Sequence, residues 1–394
     1  MNVSVLINED LKLLRTHFNA RGFDIRIVGG AVRDFIAGAV PHDIDLCTDA
    51  FPDEQLAIYE ECGIHFIPTG VQHGTYTAVM NGEGYEITSL RTESEHDGRH
   101  AVMAFTRDWT EDASRRDLTI NAMALTFNGE LVDPFGGAID LQNNVVRFVG
   151  EANERMTEDY LRILRYFRFL GRYSDEATAK ATVPAQAIYD TVNGLAGISA
   201  ERIWTEIKKI MAHPSASWVI SMMEYHSVFD VIQFPTAYDQ KTFFELKENG
   251  CTDPVLLTVA RMQNIDRAGV DVLAARFKWS SDEHDVARKI AEYRTVAAPI
   301  AETKRQLVHN RHPHAEENLK HVYSKVVEFY TAGREVDYYK NVVVPVFPVT
   351  GEDLAAIGVE RGSAMGHHLK EMKTAWMDSN YVMTRDELLA TYRK

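Results

Sequence analysis

The sequence contains little cysteine and no long apolar run. Three cysteines occur in 394 residues, Cys47, Cys62 and Cys251, and none pairs with another at a short spacing. This excludes a disulfide framework and a cysteine-rich zinc site. The amino-terminal residues include acidic side chains and no apolar stretch, so we expect neither a signal peptide nor a transit peptide. No run is long enough to cross a membrane, and we predict a cytoplasmic location and no membrane partner.

Basic residues are also scarce relative to acidic ones. The 42 Lys and Arg against 57 Asp and Glu give a formal net charge of −15. This argues mildly against a nucleic-acid partner, because phosphate backbones attract basic proteins. A basic surface can still be local on an acidic protein. The hydrophobic share of 45% and the charged share of 25% are ordinary for a globular protein.

The pattern of apolar residues along the sequence changes near Gly150. Before it, short apolar segments alternate with helical patterns, which predicts strands at 25–28 and about 42–47 and a hairpin with its turn at 81–84. After it, helical periodicity dominates, as at 157–172. We therefore predict an α+β fold, in which a domain with a mixed sheet is followed by helices.

The segment IVGGAVRD at 27–34 joins an apolar strand, two glycines and a helix start. Gly29 and Gly30 would bring backbone N–H groups and the positive end of a helix together, where they can hold a phosphate. Arg33 would add a fixed positive charge. A plain strand-to-helix turn would use the same glycines, so this motif alone leaves both interpretations open.

Two aspartates, Asp43 and Asp45, follow about ten residues later in PHDIDL. On an extended chain they point to one face, about 6.6 Å apart along the strand, while Ile44 points to the core. Paired carboxylates can hold divalent ions for in-line displacement at phosphorus, and Mg²⁺ prefers one or two carboxylates plus substrate phosphates. The alternative is an exposed acidic pair at a strand end. Cys47 is expected to pack in the core.

A third carboxylate could complete such a site and accept the proton of an attacking hydroxyl. Glu86, on the second strand of the predicted hairpin, is the candidate, and Asp117 is the fallback. The alternative for Glu86 is an exposed strand residue without a catalytic role.

The run SRRDLTINA at 114–122 places two arginines at the start of a helix predicted over 112–124. Arg116 could hold a triphosphate or neutralise nearby carboxylates. A surface salt bridge is the alternative.

The segment at 158–168 repeats arginine every three residues, at Arg162, Arg165 and Arg168, after Asp159. On a helix these arginines form a stripe. A carboxylate beside a guanidinium matches the exocyclic amine and bare ring nitrogen of cytosine and adenine, and repels uracil and guanine. Asp159 with Arg162 could therefore select CTP and ATP, with Arg165 and Arg168 reaching phosphates or primer. The alternative is a solvated helix face with local ion pairs.

Together these motifs resemble the class II tRNA nucleotidyltransferases, the CCA-adding enzymes. Bacterial poly(A) polymerases share the first domain, but the segment at 91–117 is more similar to the CCA-adding form. The matching segments are VGGAVRD at 28–34, DID at 43–45, TSLRTE at 88–93, RRDLTINA at 115–122, DPFGG at 133–137 and EDYLRILRYFRF at 158–169.

The resemblance implies a nucleotidyltransferase head of the polymerase-β type followed by an all-α neck, body and tail. It implies a catalytic head at 1–150, a nucleotide-selecting neck at 151–213, and a tRNA-binding body and tail at 214–341 and 342–394.

The resemblance also implies roles for single residues: two Mg²⁺ ions on Asp43 and Asp45, and nucleotide contacts from Gly30, Arg33 and Arg116. Asp159 and Arg162 would act as an amino-acid template, with Arg165 and Arg168 lining the same pocket. The expected partners are the tRNA 3′ end, CTP and ATP. Poly(A) tailing, CC-only or A-only addition, and an inactive tRNA-binding relative remain as alternatives.

Overall fold

The computed structural model describes residues 3–41, 43–94, 102–235, 240–262, 266–294, 302–303, 316–334 and 345–392. The chain forms two compact units. The first comprises Met1–Ile198 with Trp218–Ile232, and the second comprises Ser199–Ser217 with Gln233–Lys394. The division of the sequence into head, neck, body and tail stays a prediction.

All strands of the described residues lie in the first unit. They are β1 Ile25–Val28, β2 Leu46–Thr48, β3 His65–Gly70, β4 Thr75–Met80, β5 Glu83–Ser89, β6 Arg91–Ser94, β7 Val102–Phe105, β8 Ala124–Leu125 and β9 Leu131–Val132.

Helices occur in both units. Those that begin in the first stretch of the first unit are α1 Glu9–Asn19, α2 Gly30–Ile36, α3 Pro52–Cys62, α4 Trp109–Ser114, α5 Gly137–Gln142, α6 Ala152–Glu158, α7 Leu161–Tyr173, α8 Glu176–Thr182 and α9 Ala185–Thr191. Those that follow are α10 Ala200–Ala212, α11 Ala216–Tyr225, α12 Val228–Ile232, α13 Gln240–Glu248, α14 Pro254–Ala260, α15 Arg267–Phe277, α16 Ser281–Tyr293, α17 Glu316–Tyr330, α18 Gly351–Ala356, α19 Ser363–Asp378 and α20 Arg385–Tyr392. Short 3-10 turns occur at Val3–Val5, Val71–His73, Thr119–Asn121 and Val192–Gly197.

Seven strands form one mixed sheet in the order β3-β4-β5-β2-β1-β8-β9, and β6 pairs with β7 separately. The β2–β5 pair is parallel, and the other pairs are antiparallel. One face of the large sheet is covered by the main core of the unit, to which α1 contributes Leu11, Leu14 and Phe18. The predicted α+β fold with a mixed sheet is confirmed.

The β4–β5 hairpin turns through Asn81 and Gly82, whose φ angles are 50° and 88°. Met80 and Glu83 are the last pair before the turn. Positive φ at both central positions is typical of the two-residue turn that matches the twist of the strands, and Asn-Gly is its favoured sequence. The predicted turn is therefore confirmed in place and is two residues long.

Two predicted elements around the candidate site are wrong. The strand expected at about 42–47 begins only at Leu46, and Asp43 to Asp45 precede the β1–β2 ladder. The carbonyl of Asp45 nevertheless accepts a hydrogen bond from Val28 N, on β1, at 3.0 Å. The helix expected over 112–124 is α4, which starts earlier because Asp108 caps it. The chain then extends at Leu118, which bridges to Phe148.

The helix predicted over 157–172 is interrupted at Asp159. There φ is −150° and ψ is 103°, which lie outside the helical region, so α6 ends at Glu158 and α7 begins at Leu161. The Asp159 carboxylate accepts the backbone N–H of Leu161 at 3.1 Å. This contact is an Asx turn immediately before α7, whose N-cap, Tyr160, makes no side-chain capping bond. Asp159 therefore lies at the joint of two helices and not within one.

The second unit is helical throughout its described residues. Lys247 Nζ donates hydrogen bonds to three backbone carbonyls, those of Met211, His213 and Cys251, and so satisfies groups near the end of α10. Thr350 and Asp353 form the capping box expected at the start of α18. Among the described residues, no helix has both the length and the apolar character needed to span a membrane.

Candidate active site

Asp43 and Asp45 lie side by side at the entry to β2. Both are exposed, whereas Ile44 between them packs against the main core. The predicted alternation is therefore observed, although these residues precede the strand. Desolvation and the negative charge of Asp43 raise the pKa of Asp45, while Arg116 acts in the opposite direction. The two carboxylates thus repel each other at short range and would be stabilised by a cation placed between them.

The donor set fits a hard divalent ion. Two exposed carboxylates that destabilise one another offer oxygen ligands of the kind that Mg²⁺ uses together with substrate phosphates. Over the ranges that the structure covers, no group of three His, Cys, Asp or Glu side chains is arranged to hold a metal ion. The protein therefore supplies an aspartate pair and not a complete cage.

Glu86 lies on β5, the strand parallel to β2. The ladder pairs Leu46 with Ile87, so the preceding residues, Asp45 and Glu86, are neighbours across the two strands. Both alternate with core residues and so point to the face opposite the main core. Glu86 is exposed. This position agrees with the predicted proton acceptor, although the structure does not place Glu86 in a three-ligand cluster with the aspartates.

The glycine turn between β1 and α2 requires glycine at its first position. Gly29 has a φ of 64°, and a Cβ there would lie 3.1 Å from Arg116 Nη1. Its backbone N–H donates to Met123 O at 3.1 Å, so this donor is used within the protein. Gly30 begins α2. The turn therefore brings the start of α2 close to the guanidinium of Arg116.

Arg116 is held by a buried carboxylate, Asp112. Arg116 Nη2 lies 3.0 Å from one oxygen of Asp112, and Arg115 Nη2 lies 2.5 Å from the other. Arg116 Nη1 also donates to Asn121 O at 3.2 Å. Burial raises the pKa of Asp112, but the two guanidinium groups outweigh it, so the pKa is lowered. Arg116 is thus fixed beside the glycine turn, and its positive charge acts on Asp45.

Asp117 is not placed as a metal ligand. It is buried and accepts hydrogen bonds from Arg165 Nε at 2.7 Å, Asn121 Nδ2 at 3.0 Å and Leu118 N at 2.9 Å. Burial opposes its ionisation, but Arg165 and Asn121 lower its pKa. This carboxylate is committed to holding Arg165, so the fallback interpretation of Asp117 as the third acid finds no support.

Arg33 lies beneath the glycine turn and is 7% exposed. Its guanidinium donates to Asn121 Oδ1 at 2.5 Å, Tyr173 Oη at 2.7 Å and Asp34 Oδ1 at 3.0 Å. It also lies over the rings of Phe169 and Tyr173, at 4.8 and 5.0 Å from their centroids. A direct phosphate contact by Arg33 stays a prediction, and the contacts present support the turn from below.

Arg162 forms an ion pair with Glu158. Its Nη1 also donates to Arg155 O at 3.1 Å, and its Nη2 donates to Arg115 O at 3.2 Å. Asp159 is half-buried beside this group and uses one carboxylate oxygen for the N–H of Leu161. Asp159 and Arg162, the predicted selecting residues, are three residues apart, and the guanidinium of Arg162 is bound to Glu158.

Arg165 and Arg168 share the ring of Phe169. Their guanidinium carbons lie 5.7 and 4.3 Å from its centroid. Phe169 is 5% exposed and both arginines are half-buried. Arg165 and Arg168 are therefore packed on an aromatic ring, whereas Arg162 forms the local i,i+4 ion pair that the alternative interpretation expects.

Four residues at the site were not selected from the sequence: Asp112, Asn121, Glu158 and Tyr173. Asp112 could have been found, because it lies three and four residues before Arg115 and Arg116, which is the ion-pair spacing of a helix. Glu158 precedes Arg162 at the same spacing. Asn121 lies in the matched segment RRDLTINA, four residues after its partner Asp117. Its contact with Arg33 and the contact of Tyr173 with Arg33 gave no local signal, since these partners are distant in sequence.

Comparison with known proteins gives the same assignment from whole-chain similarity. The family model described as the poly(A) polymerase head domain matches residues 25–147, and the model described as a probable RNA and SrmB-binding site of polymerase A matches residues 184–238. Mitochondrial CCA tRNA nucleotidyltransferase 1 of Danio rerio is 36% identical over 98% of this chain and 91% of its own length. The chain belongs to the CCA tRNA nucleotidyltransferase family. The predicted family and the predicted enzyme class are confirmed.

Solved structures of CCA tRNA nucleotidyltransferases share the fold. The Bacillus stearothermophilus CCA-adding enzyme in complex with CTP is 25% identical, covers 98% of both chains and has a TM-score of 0.72. The Thermotoga maritima CCA-adding enzyme complexed with tRNA is 20% identical, with a TM-score of 0.65 over 99% of this chain and 97% of its own, and shows the fold alone. Nucleotidyltransferases of this kind use a divalent metal.

Proposed function

We propose that this protein adds C, C and A to the 3′ end of tRNA from CTP and ATP, without a nucleic-acid template. The observation that carries the proposal is the 36% identity to a CCA tRNA nucleotidyltransferase over nearly the whole chain. The aspartate pair beside Arg116 and the glycine turn supports it, because this set can receive a triphosphate with its metal ions.

Asp43 and Asp45 are the residues that would hold two Mg²⁺ ions. When bound, these ions would neutralise charge on the triphosphate and favour ionisation of the attacking hydroxyl. The nucleotide would be contacted by the glycine turn, at Gly29 and Gly30, and by Arg116 beside it. Arg33 would support the turn from beneath.

In the proposed reaction the terminal 3′-hydroxyl of tRNA attacks the α-phosphorus of the nucleotide. The new bond joins the 3′-oxygen to that phosphorus, the bond from the α-phosphorus to the bridging oxygen breaks, and pyrophosphate leaves. Glu86, which neighbours Asp45 across β2 and β5, would accept the proton of the hydroxyl.

Base choice is proposed for Asp159 and Arg162. The carboxylate would accept from the exocyclic amine of cytosine or adenine, and the guanidinium would donate to the ring nitrogen. Because Arg162 is bound by Glu158, this role requires the base to compete with that ion pair. Arg165 and Arg168, packed on Phe169, would line the rest of the pocket.

We propose that residues 151–213 select the nucleotide and that 214–341 and 342–394 bind tRNA. The match of residues 184–238 to a probable RNA-binding site supports an RNA partner. A cytoplasmic location is also proposed, and because the Danio rerio relative is named mitochondrial, cell fractionation must decide between the two compartments.

The decisive experiment uses tRNA transcripts that end at the base preceding CCA, incubated with CTP, ATP and Mg²⁺. Sequencing of the 3′ ends should show CCA and nothing longer. Long A tails would instead indicate a poly(A) polymerase, and ends in CC or a single A would indicate partial addition. Unextended ends with intact tRNA binding would indicate an inactive relative and reject the proposal.

A further inference from the structure

A closed circuit of polar contacts joins both ends of one face of α7 to the glycine turn. We name it the Asn121 circuit, and its members are Arg33, Asp34, Asp117, Asn121, Arg165 and Tyr173. Arg165 contacts Asp117, Asp117 contacts Asn121, and Asn121 contacts Arg33. Arg33 and Asp34 then both contact Tyr173, which returns the circuit to α7.

Asn121 is the neutral member that links two charged groups of opposite sign. Its carbonyl oxygen accepts from Arg33 at 2.5 Å, and its amide nitrogen donates to Asp117 at 3.0 Å. All three residues are 7% exposed. An amide satisfies a cation on one side and an anion on the other, whereas a carboxylate at this position would face Asp117 with like charge and no donor.

The two contacts on α7 lie eight residues apart, at Arg165 and Tyr173, which is about 12 Å along a helix. Phe169 lies midway on the same face, and its ring contacts the guanidinium of Arg33 and stacks on Tyr173 at 6.1 Å between centroids. Two polar contacts with an aromatic contact between them restrain both rotation and sliding of the helix.

Arg162 lies one turn before Arg165 on α7. Reading a base edge by hydrogen bonds requires correct placement of the guanidinium within a fraction of an ångström, and a 1 Å displacement can cost roughly a hundredfold in rate. We infer that Asn121 and Tyr173 are positioning residues for base choice, which act by fixing the rotation of α7 and so the placement of Arg162. This inference rests on the proposed function.

The test measures kcat/KM for CTP and for UTP on a tRNA transcript lacking CCA. In the full-length protein, Asn121→Asp should lower the CTP/UTP ratio by roughly a hundredfold. Tyr173→Phe should lower it by about tenfold, because it removes one hydroxyl and keeps the ring that contacts Arg33. The matched control is Tyr189→Phe, at a tyrosine that is 75% exposed in α9, and it should leave the ratio unchanged.

A rescue separates positioning from general damage. In Asp117→Asn/Asn121→Asp the carboxylate and the amide exchange places. Arg33 gains a carboxylate and the like-charge pair is removed, while Arg165 keeps only an amide oxygen as its acceptor at position 117, so the rescue is expected to be partial. The double variant should recover at least part of the CTP/UTP ratio lost in Asn121→Asp. Thermal unfolding of each variant identifies any that fails to fold, and Tyr173→Phe keeps the test decisive if Asn121→Asp does.

The outcomes are distinguishable. A wild type that selects CTP, with a folded Tyr173→Phe variant that selects it equally well, would overturn this inference and leave the proposed function intact. Lower thermal stability with an unchanged ratio would give the circuit a structural role only and would also overturn it. A wild type that adds no nucleotide would reject the proposed function and this inference with it.

Discussion

The acids and the bases of the candidate site are held in opposite ways. Asp43 and Asp45 are exposed, and Asp45 is destabilised by its neighbour. Arg33, Arg116 and Arg162 are each bound by protein groups, and their ionic partners are Asp34, Asp112 and Glu158. The aspartate pair is therefore open to external ligands, while these three arginines form a framework whose geometry is set before any ligand arrives.

The contrast between the aspartate pair and the arginines indicates which side chains destabilise the fold and which stabilise it. Groups kept apart from partners in a folded protein raise its free energy and are retained where binding compensates. Groups with partners stabilise the fold and restrict where a ligand can go. We therefore expect substitutions in the aspartate pair to affect chemistry alone, and substitutions beneath the arginines to affect stability.

The largest effect is expected for Asp45→Asn. Loss of one charge at the metal-binding pair should lower nucleotide transfer by roughly a thousandfold, the equivalent of several kcal/mol of charge stabilisation. The midpoint of thermal unfolding should not fall, because the carboxylate is exposed and repelled by Asp43. Incorporation of labelled CMP and a thermal melt measure both. Asp53→Asn, at an exposed acid in α3, is the matched control, and a large drop in its activity would contradict the comparison.

In contrast to Asp45→Asn, Asp112→Asn should chiefly lower the stability of the fold. Its side chain is 3% exposed and holds Arg115 and Arg116, so its loss leaves two half-buried cations with a weakened partner. We expect a loss of about 3–5 kcal/mol in the free energy of unfolding. Denaturant titration measures it. If this variant unfolds like the wild type, the arginines do not form the framework described here.

Arg162→Ala tests a residue that is bound by protein groups and is also proposed to contact the base. If it reads the base, its loss should reduce the CTP/UTP discrimination by at least about tenfold while KM for CTP changes less. Single-nucleotide kinetics measure the two quantities. Lys180→Ala, at an exposed cation of α8 paired with Glu176, is the control. Intact discrimination in Arg162→Ala would remove this residue from base selection.

The smallest effect is expected outside the site, at Asp353. Hydrogen bonds from Arg385 and the Thr350 cap lower its pKa to about 2. Because the folded pKa lies below the unfolded value, this group contributes stability above about pH 4, and that contribution is lost as the pH falls toward 2. Asp353→Asn should therefore lower the unfolding midpoint by only a degree or two at pH 7, and this difference should shrink as the pH falls through the folded pKa of about 2. Melts across that pH range check the sign.

Local patterns predicted much of the first unit. The strand at 25–28, the glycine turn, the helix after it and the Asn-Gly hairpin each follow from short-range chemistry. The alternation of Asp43, Ile44 and Asp45 was also predictable, since an extended chain needs no strand partner to alternate. The error lay in extending the strand to cover the aspartates.

The connections of the arginines could not be predicted in the same way. Helical spacing placed Arg162, Arg165 and Arg168 on one stripe, but it did not predict that the backbone leaves the helical region at Asp159. The partners of Arg33 are 88 and 140 residues away in sequence. Contacts at that separation are set by the packing of the sheet against α7, which no local pattern contains.

Cys47 follows the aspartate pair by two residues, yet its thiol is only 3% exposed, and its sulfur contacts Arg116 Nη2 at 3.7 Å. A thiolate within reach of Asp43 and Asp45 would add a soft donor to two hard ones and favour copper or zinc, which bind sulfur strongly. Cys47 lies on the same side of the sheet as Asp45, but it is buried in a small cluster with Val28, Leu90 and Ala124, so its sulfur is withdrawn from the aspartate pair. Burial of one sulfur atom thus biases the choice of cation toward magnesium and manganese.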